Sequence, residues 1–155
     1  MQNITIRKAE LTDKPALLQF EQGVVEAERP FTPKMNNGPA NYYDMQELIT
    51  APHIRLVVAE LCGEVVGCGY ARIEASKHYL SHPQQAYLGF MYVVPQHRGK
   101  GINSMVLAAL KQWAQRKDVT ELRLEVYVAN TIAVKAYEKA GFSGYLLQMR
   151  AGADI

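Results

Sequence analysis

Residues 93–103, VVPQHRGKGIN, place two glycines and two basic side chains between a predicted strand and a predicted helix. Gly99 and Gly101 can adopt left-handed backbone conformations and let a ligand approach the main chain closely. The first turn of the following helix carries about half a positive charge on its free N–H groups, and Arg98 and Lys100 add mobile cations. This pattern predicts an anion site that suits phosphate. A tight connection with solvated charges is the alternative.

Two other glycine-rich phosphate loops are excluded by their spacing. The chain contains no G-x-x-x-x-G-K-[ST], so it has no nucleoside-triphosphate loop of that type. The stretch Gly67-Cys68-Gly69 lacks the third glycine of the dinucleotide-binding fingerprint and lies between predicted strand residues instead of before a helix.

The composition excludes several classes of protein. The 155 residues include 17 Lys+Arg and 15 Asp+Glu, a net charge of +2, and 48% are hydrophobic. This apolar content is too high for a disordered chain, and no apolar run approaches the ~20 residues of a membrane span. A net charge of +2 also lacks the basic excess of a typical nucleic-acid binder.

The basic residues are unevenly distributed along the chain. Residues 75–117 contain six bases and no acid, and this stretch includes the predicted anion site. Such a stretch can produce a positive field for an anionic ligand. Chance clustering on a solvated surface is the plainer interpretation, and both remain open at this point.

Nothing in the sequence indicates export or a metal centre. The segment MQNITIRKAE has neither the apolar core nor the cleavage site of a signal peptide, and two cysteines are too few for a disulfide framework. Cys62-x5-Cys68 and His78-x3-His82 do not have the spacing of a zinc finger. We therefore expect a cytoplasmic protein that needs no metal.

The periodicity of the apolar residues predicts helices and strands in alternation. The first half is expected to contain a strand at 4–9, a helix capped by Thr12 or Asp13, a loop at 29–41, a short helix at 42–50, and strands at 55–61 and 65–73 that form an antiparallel hairpin. The second half is expected to contain a strand at 86–94, a helix from Gly101 onward, a strand at 121–128, a helix from Asn130 or Thr131 to Ala140, and a last strand at 142–149.

No internal repeat or flexible linker interrupts this order, so we expect a single domain over residues 1–155. The predicted fold class is mixed α/β, with antiparallel strands in front and a βαβ unit behind them.

The motifs resemble those of the GCN5-related N-acetyltransferase (GNAT) family. Gln96-x-x-Gly99-x-Gly101, preceded by Val93-Val94-Pro95, is similar to the family's Q/R-x-x-G-x-G/A signature. A second block looks like the family's later motif, with Glu125-Val126, Asn130, Ala133, Tyr137, Gly141 and Phe142 in the same order. The resemblance is tight over residues 86–145 and loose before them.

The resemblance implies the family's fold and activity. The fold would be a GNAT-like mixed sheet whose antiparallel N-terminal strands precede a βαβαβ acetyl-CoA-binding half. The activity would be transfer of an acetyl group from acetyl-CoA, the cosubstrate, to a primary amine by direct attack in a ternary complex. The implied cofactor contacts are main-chain groups near Val93 for pantetheine, the amides of Arg98, Gly99, Lys100, Gly101, Ile102 and Asn103 for the pyrophosphate, and Asn130 for the cofactor arm. Asn130 can serve as a helix N-cap at the same time.

The resemblance also suggests the catalytic residues. Tyr137 matches the family tyrosine that protonates the departing thiolate, although packing of its ring on a helix face is the alternative. Gly89 occupies the strand position where many members carry a glutamate, and residues 75–117 contain no carboxylate that could replace it. Glu125 is then the candidate base, with a spacing to Tyr137 that resembles the ribosomal-protein N-terminal acetyltransferases. A water relay to bulk solvent is its competitor.

Other functions stay in view. A non-catalytic acetyl-CoA-binding sensor would explain the missing carboxylate at Gly89, whereas a nucleic-acid-binding module disagrees with the net charge. The acceptor could be a small-molecule amine or a peptide N-terminus. Neither a nucleic acid nor a membrane is expected as a partner. Family members are often dimers, which suggests a homodimer without determining the oligomeric state.

Overall fold

The computed structural model describes residues 3–154, and its sheet has five strands among these residues. The elements of the described chain are β1 (Ile4–Lys8), α1 (Lys14–Glu28), α2 (Met45–Thr50), β2 (Ile54–Leu61), β3 (Glu64–Ala75), β4 (Gln84–Val93), α3 (Ile102–Arg116), β5 (Leu122–Leu124) and α4 (Thr131–Lys139). Short 3-10 turns lie at Leu11–Asp13, Arg29–Phe31 and Pro95–His97. The chain forms two compact units, of which the first ends at Glu125 and the second begins at Val126.

The sheet has the strand order β1-β2-β3-β4-β5. The first three pairings are antiparallel, and β4 pairs with β5 in parallel. The β2–β3 hairpin turns at Cys62-Gly63, where both residues have positive φ angles. The predicted mixed sheet, antiparallel in front and parallel behind, is therefore confirmed.

Helices cover the two faces of this sheet in the first unit. The apolar sides of α1 and α2 pack on alternate residues of the central strands, such as Leu56, Val58 and Cys68. The opposite face meets α3, because a Cβ placed on Gly69 would lie 2.8 Å from a methyl carbon of Val106. Since successive strand residues point to opposite faces, the sheet is buried between the two layers.

Strand β4 contains a bulge at its centre. Tyr70 of β3 stands opposite Gly89, and Cys68 stands opposite Tyr92, so Phe90 and Met91 together face the single residue between them on β3. Phe90 adopts a φ of +53°, which is rare for an aromatic residue. Bulges bend the strand that contains them and often lie beside functional sites.

The expectation of a strand at 121–128 is wrong in its length. The structure has only Leu122–Leu124, paired with residues 86–88 of β4. Because β4 bulges directly after these residues, its backbone turns away and offers no further ladder to β5. Glu125 therefore lies one residue beyond the strand.

The expectation of a last strand at 142–149 is also wrong. A strand requires a hydrogen-bonded neighbour. Among the residues that the structure describes, 142–149 take part in no strand pairing and therefore form no strand. The unit contains α4, which begins after Asn130 and is followed by Gly141 with a φ of +103°. The helix and its glycine end agree with the sequence pattern, and the single domain stays a prediction.

None of the helices in residues 3–154 has the length and apolarity that crossing a membrane requires.

Candidate active site

The turn between β4 and α3 forms a concave site lined mainly by main-chain groups. After the 3-10 turn at Pro95–His97, Gly99 has a φ of +81° and Gly101 a φ of +78°. A pocket of about 150 Å³ is lined by this turn and the start of α3, through Val93, His97, Arg98, Gly99, Gly101, Ile102, Asn103 and Ser104. The structure thus brings six of the eight predicted cofactor residues to one pocket, and Lys100 lies in the same turn.

The start of α3 directs its backbone toward this pocket. The helix begins at Ile102, and its first ladder bond runs from the Met105 N–H to the carbonyl oxygen of Gly101, 3.2 Å away. The N–H groups of residues 102–104 precede that bond, so they can donate to a ligand. Free N–H groups with the positive end of a 15-residue helix are a site for an anion such as a phosphate.

The basic side chains of the turn fold back onto the protein. Arg98 donates from Nε to the carbonyl oxygen of Val93 at 3.0 Å, and its guanidinium carbon lies 5.7 Å from the centre of the Tyr92 ring. The Lys100 ammonium contacts His97 Nδ1 at 2.8 Å. The positive charge therefore lies at the rim of the pocket, while the backbone lines its floor.

Glu125 lies beside a tyrosine of β4 in the first unit. The Tyr87 hydroxyl donates to Glu125 Oε1 at 2.9 Å. The guanidinium of Arg72 stacks on Tyr87 at 5.2 Å and on Tyr70 at 5.8 Å, and it also pairs with Glu74. Burial, reinforced by Glu125, holds the pKa of Tyr87 well above its usual range, so this phenol keeps its proton at neutral pH.

Gly89, the position without the expected carboxylate, is filled from the neighbouring strand. A Cβ built on Gly89 would lie only 2.6 Å from Tyr70 Oη and 2.7 Å from its Cζ. Tyr70 is 4% exposed and holds this place against the sheet. A side chain at position 89 is thus incompatible with the present position of the Tyr70 ring.

Asn130 and Tyr137 lie on α4 in the second unit. The Asn130 side chain caps the helix by accepting the Ala133 N–H at 3.3 Å. The half-buried ring of Tyr137 packs edge-to-face with Phe142 at 6.0 Å. The cap and the packing are present, and the roles of both residues toward a cofactor remain predictions.

Sequence reasoning missed two functional candidates. Tyr87 belongs to no motif and lies 38 positions from Glu125, so the sequence gives no signal for their contact. Glu21 carried a signal in its spacing, because an acid four residues after Leu17 falls on the apolar side of a helix. Glu21 is 1% exposed in the structure.

Within residues 3–154, no group of three or more His, Cys, Asp or Glu side chains is arranged to hold a metal ion.

Comparison with known proteins identifies the family. The pattern of the acetyltransferase (GNAT) family matches residues 22–142. The chain belongs to this family, and it is an acyltransferase that uses acetyl-CoA. The glycine turn and its pocket fit such a cosubstrate, since main-chain donors and a basic rim are the groups that a pyrophosphate requires.

Similar proteins include two named for different acceptors. An aminoglycoside N(6')-acetyltransferase type 1 of Salmonella typhimurium is 26% identical over 66% of this chain and 72% of its own length. An N-alpha-acetyltransferase of Sulfurisphaera tokodaii is 29% identical over 88% of this chain and 78% of its own length. A predicted acetyltransferase of Clostridium acetobutylicum, solved with acetyl-CoA, shares the fold with a TM-score of 0.74, 16% identity, and coverage of 97% and 96% of the two chains.

Proposed function

We propose that the protein transfers an acetyl group from acetyl-CoA to a primary amine by direct attack of the amine. The observation that carries this proposal is the pocket at the glycine turn, where Gly99, Gly101 and the start of α3 present main-chain donors to an anion. The bulge of β4 lies a few residues upstream, so the strand edge beyond Leu88 is not paired with β5. Both features suit a phosphate-bearing cosubstrate that extends along β4 past Val93.

On the cofactor side, the chain supplies binding and orientation. We infer that the amides of Arg98, Gly99, Lys100, Gly101, Ile102 and Asn103 receive the pyrophosphate. Main-chain groups near Val93 receive the pantetheine arm, after the Arg98 side chain has released the Val93 carbonyl. Asn130 contacts the arm through the hydrogen-bonding groups of its side chain that the capping bond does not use. When bound, acetyl-CoA supplies the activated thioester carbon that the amine attacks.

The attacking amine must lose a proton, because an alkylammonium has a pKa of ~10.4. We assign this proton to Glu125, assisted by Tyr87. The Tyr87 hydroxyl donates to the carboxylate and can accept from an ammonium with its free lone pair, so the pair can pass a proton outward. A water relay to bulk solvent is the competing route for the same proton.

Tyr137 completes the proposed transfer. As the N–C bond forms and the C–S bond breaks, the departing thiolate needs a proton or an equivalent hydrogen bond. Tyr137 matches the family tyrosine for this step, and its phenol would supply that proton. The first proton, taken by Glu125, returns to solvent. The second proton, which the nitrogen loses as the amide forms, restores the Tyr137 phenol, so the reaction balances.

The acceptor is best described as a cationic amine. Tyrosine rings and the carboxylates of Glu28, Glu74 and Glu125 belong to one electrostatic neighbourhood around Tyr70 and Tyr43. Arg72 already stacks on Tyr70 and Tyr87 and pairs with Glu74. Glu28 and Glu125 are therefore the carboxylates of this neighbourhood that favour an ammonium. A small-molecule amine suits this neighbourhood, and the aminoglycoside-acetylating relative is consistent with it.

A peptide N-terminus is the second candidate acceptor. The relative named N-alpha-acetyltransferase supports it, as does the spacing of Glu125 and Tyr137. A cytoplasmic location, a homodimer and the absence of nucleic-acid and membrane partners belong to the proposal as well.

The experiment is release of free thiol from acetyl-CoA over a panel containing an aminoglycoside, a polyamine, free amino acids and peptides with free N-termini. We expect at least one amine to raise thiol release well above hydrolysis. A thermal-shift scan tests cofactor binding, which an enzyme and a sensor share, because acetyl-CoA at a hundredfold excess over Kd should add about 2.7 kcal/mol of stability. Thiol release then separates the enzyme from the sensor. Stabilisation without turnover would favour the sensor, and absence of both would overturn the proposal.

Variants then test the residue roles. Tyr137→Phe should lower kcat with little change in acetyl-CoA affinity. Glu125→Gln should move the rising limb of the pH–rate profile, and Tyr87→Phe should move the same limb less. Tyr79→Phe is the matched control, since this tyrosine is 72% exposed on a loop. If the rising limb of the pH–rate profile does not move in Glu125→Gln, the water relay is left as the route for the proton.

A further inference from the structure

Glu21 is a buried acid that the proposed mechanism does not use. It lies in the second half of α1 and is 1% exposed. Among the charged side chains of residues 3–154, only Asp13 and Glu21 are buried. Burial of a carboxylate is costly unless hydrogen bonds compensate it, so its partners indicate why it is there.

The partners of Glu21 are two consecutive backbone N–H groups. The amides of Tyr42 and Tyr43 both donate to the same oxygen, Oε2, at 2.7 and 2.8 Å. These residues end the long irregular segment that connects α1 to α2. Since bonds from N–H groups to an ionised acceptor are roughly twice as strong as neutral ones, this contact fixes the backbone at Tyr42 and Tyr43.

Gln22 of α1 and Arg29, directly after the helix, hold the rest of the segment. Gln22 bonds both the N–H and the carbonyl of Ala40, at 3.3 and 2.8 Å. The Arg29 guanidinium donates to the carbonyl oxygens of Asn36 and Gly38 at 2.7 and 2.6 Å. Main-chain groups at five positions of this irregular segment are therefore anchored to α1 and to the 3-10 turn that follows it.

The anchored backbone positions a row of aromatic rings. Tyr43 lies 4.6 Å from Phe90, the residue with positive φ in the β4 bulge, and 6.0 Å from Tyr70. Tyr70 lies 6.4 Å from Tyr87, which donates to Glu125. A continuous series of contacts thus leads from Glu21 to the candidate base, all within the first unit.

We propose that Glu21 is a positioning residue for the acceptor amine. Through the hydrogen bonds to its Oε2, the segment at 32–44 forms a fixed wall of the acceptor site and not a lid that closes. This inference rests on the proposed function, because it assumes that the amine meets the Tyr43–Tyr70–Tyr87 row. The glycine turn is untouched by these contacts. Loss of Glu21 should therefore raise KM for the amine and leave KM for acetyl-CoA nearly unchanged.

The test compares Glu21→Met with Glu21→Gln. Methionine keeps the volume and removes both acceptors, whereas glutamine retains an oxygen that can take both N–H groups. We expect Glu21→Met to raise KM for the best amine by about tenfold and to leave KM for acetyl-CoA within about twofold, with Glu21→Gln restoring most of the loss. Equal rises in both KM values, or no change in either, would overturn the proposal.

Asp13→Asn is the matched control. Asp13 is also a buried acid at α1 that accepts a backbone N–H, from Glu10, and its side-chain hydrogen bonds are to Arg7 and Glu10 instead of residues 32–44. The Asp13→Asn variant should have a lower free energy of unfolding and an unchanged KM for the amine. A comparable rise in that KM would mean that any weakening of α1 suffices, which contradicts a specific role for Glu21.

Hydrogen exchange gives a readout that does not depend on turnover or on the methionine variant folding. The amides of Tyr42 and Tyr43 should be protected in the wild-type chain and in Glu21→Gln, and Gln22→Met should expose Ala40 but not Tyr43. Rapid exchange at Tyr42 and Tyr43 in the wild type would contradict the wall. If no amine is acetylated by the wild type while these amides are protected, the proposed function fails and the anchored segment stands.

Discussion

At the scale of single residues, the acceptor side that we propose consists of side chains that occupy or fix particular places. Tyr70 fills the volume over Gly89, Tyr87 orients Glu125, and Glu21 holds the backbone of Tyr43. Each of these contacts joins residues at least 17 positions apart in the sequence. They are packing and hydrogen-bond relations, so each can be tested by removing one partner.

Gly89→Ala should destabilise the protein by about 1–3 kcal/mol, the usual cost of overpacking a filled site. The new Cβ would lie 2.6 Å from the Tyr70 hydroxyl oxygen, so the ring must move. Urea denaturation followed by the fluorescence of Trp113 measures the change. Combining it with Tyr70→Leu should cost less than the sum of the two single changes, since the ring is then gone. Strict additivity would show that Tyr70 does not fill this volume.

The pair of buried Asp13 and half-buried Arg7 should make stability depend on acid pH. Arg7 donates to both carboxylate oxygens and so holds the pKa of Asp13 below its ordinary value of 3.8. A carboxyl with a lowered pKa in the folded state stabilises above its ordinary pKa and loses this contribution as pH falls through the folded value.

The expected outcome is that Asp13→Asn costs about 1–3 kcal/mol at pH 7 and progressively less as pH falls below the ordinary carboxyl pKa of 3.8. Free energies of unfolding measured in urea between pH 2.5 and 7 give both curves. Parallel curves for the variant and the wild type over this range would exclude the pair as a source of acid sensitivity.

At the scale of elements, the turn before α3 and the bulge of β4 create the cofactor side. The turn contributes two left-handed glycines and the start of a long helix. The bulge ends the pairing of β4 with β5 at Leu88 and leaves Glu125 just past a three-residue strand. A regular β4 could instead pair with β5 along its length and close the edge along which we propose that the pantetheine arm lies.

Gly101→Ala should weaken acetyl-CoA binding by about tenfold, because an L-residue at this φ costs about 1–2 kcal/mol and the backbone relaxes away from the geometry of the site. A Cβ at this position meets nothing within 4 Å, so the effect is conformational. Isothermal titration calorimetry measures the Kd.

The chain contains a matched control for this change. Gly63 has the same φ of +78° and equally open surroundings, but it lies in the β2–β3 turn. Gly63→Ala should cost similar stability and leave the Kd unchanged. Equal losses of affinity in both variants would show that the glycine turn has no special part in binding.

At the scale of the whole molecule, a net charge of +2 conceals separated charges. Residues 75–117 contain six bases and no acid, and they include the pocket at the start of α3. The acids lie before and after this stretch, among them Glu28, Glu74 and Glu125 around the tyrosine row. The cofactor half therefore favours an anion and the acceptor side a cation.

The Kd for acetyl-CoA should rise with salt, since charges near a surface are screened over about 10 Å at 0.1 M ionic strength. Titrations in 20 and 300 mM NaCl measure how steeply the Kd rises with salt. Lys100→Gln should reduce this dependence, whereas Lys8→Gln, at an exposed position of β1, should not. A Kd independent of salt would mean that main-chain donors alone hold the anion.

Much of the fold was predictable because its signals are local. The stripe of apolar residues in α3, the cap at Asn130 and the glycines at 99 and 101 act through neighbours a few residues away. Periodicity and turn chemistry therefore predicted the mixed sheet, the hairpin and the anion-binding turn. The strand at 142–149 was predicted from its own residues, which cannot tell whether a partner strand lies alongside.

The amino-acid sequence by itself determined the family, the order of its elements and the glycine turn, since these depend on short motifs and on spacing within an element. Only the tertiary structure decided that β4 bulges at Phe90, that Tyr70 fills the place of the missing carboxylate, and that Glu21 anchors the segment before α2. Such relations require two distant parts of the chain to meet. A pattern read along one strand or helix carries no information about what will pack against it.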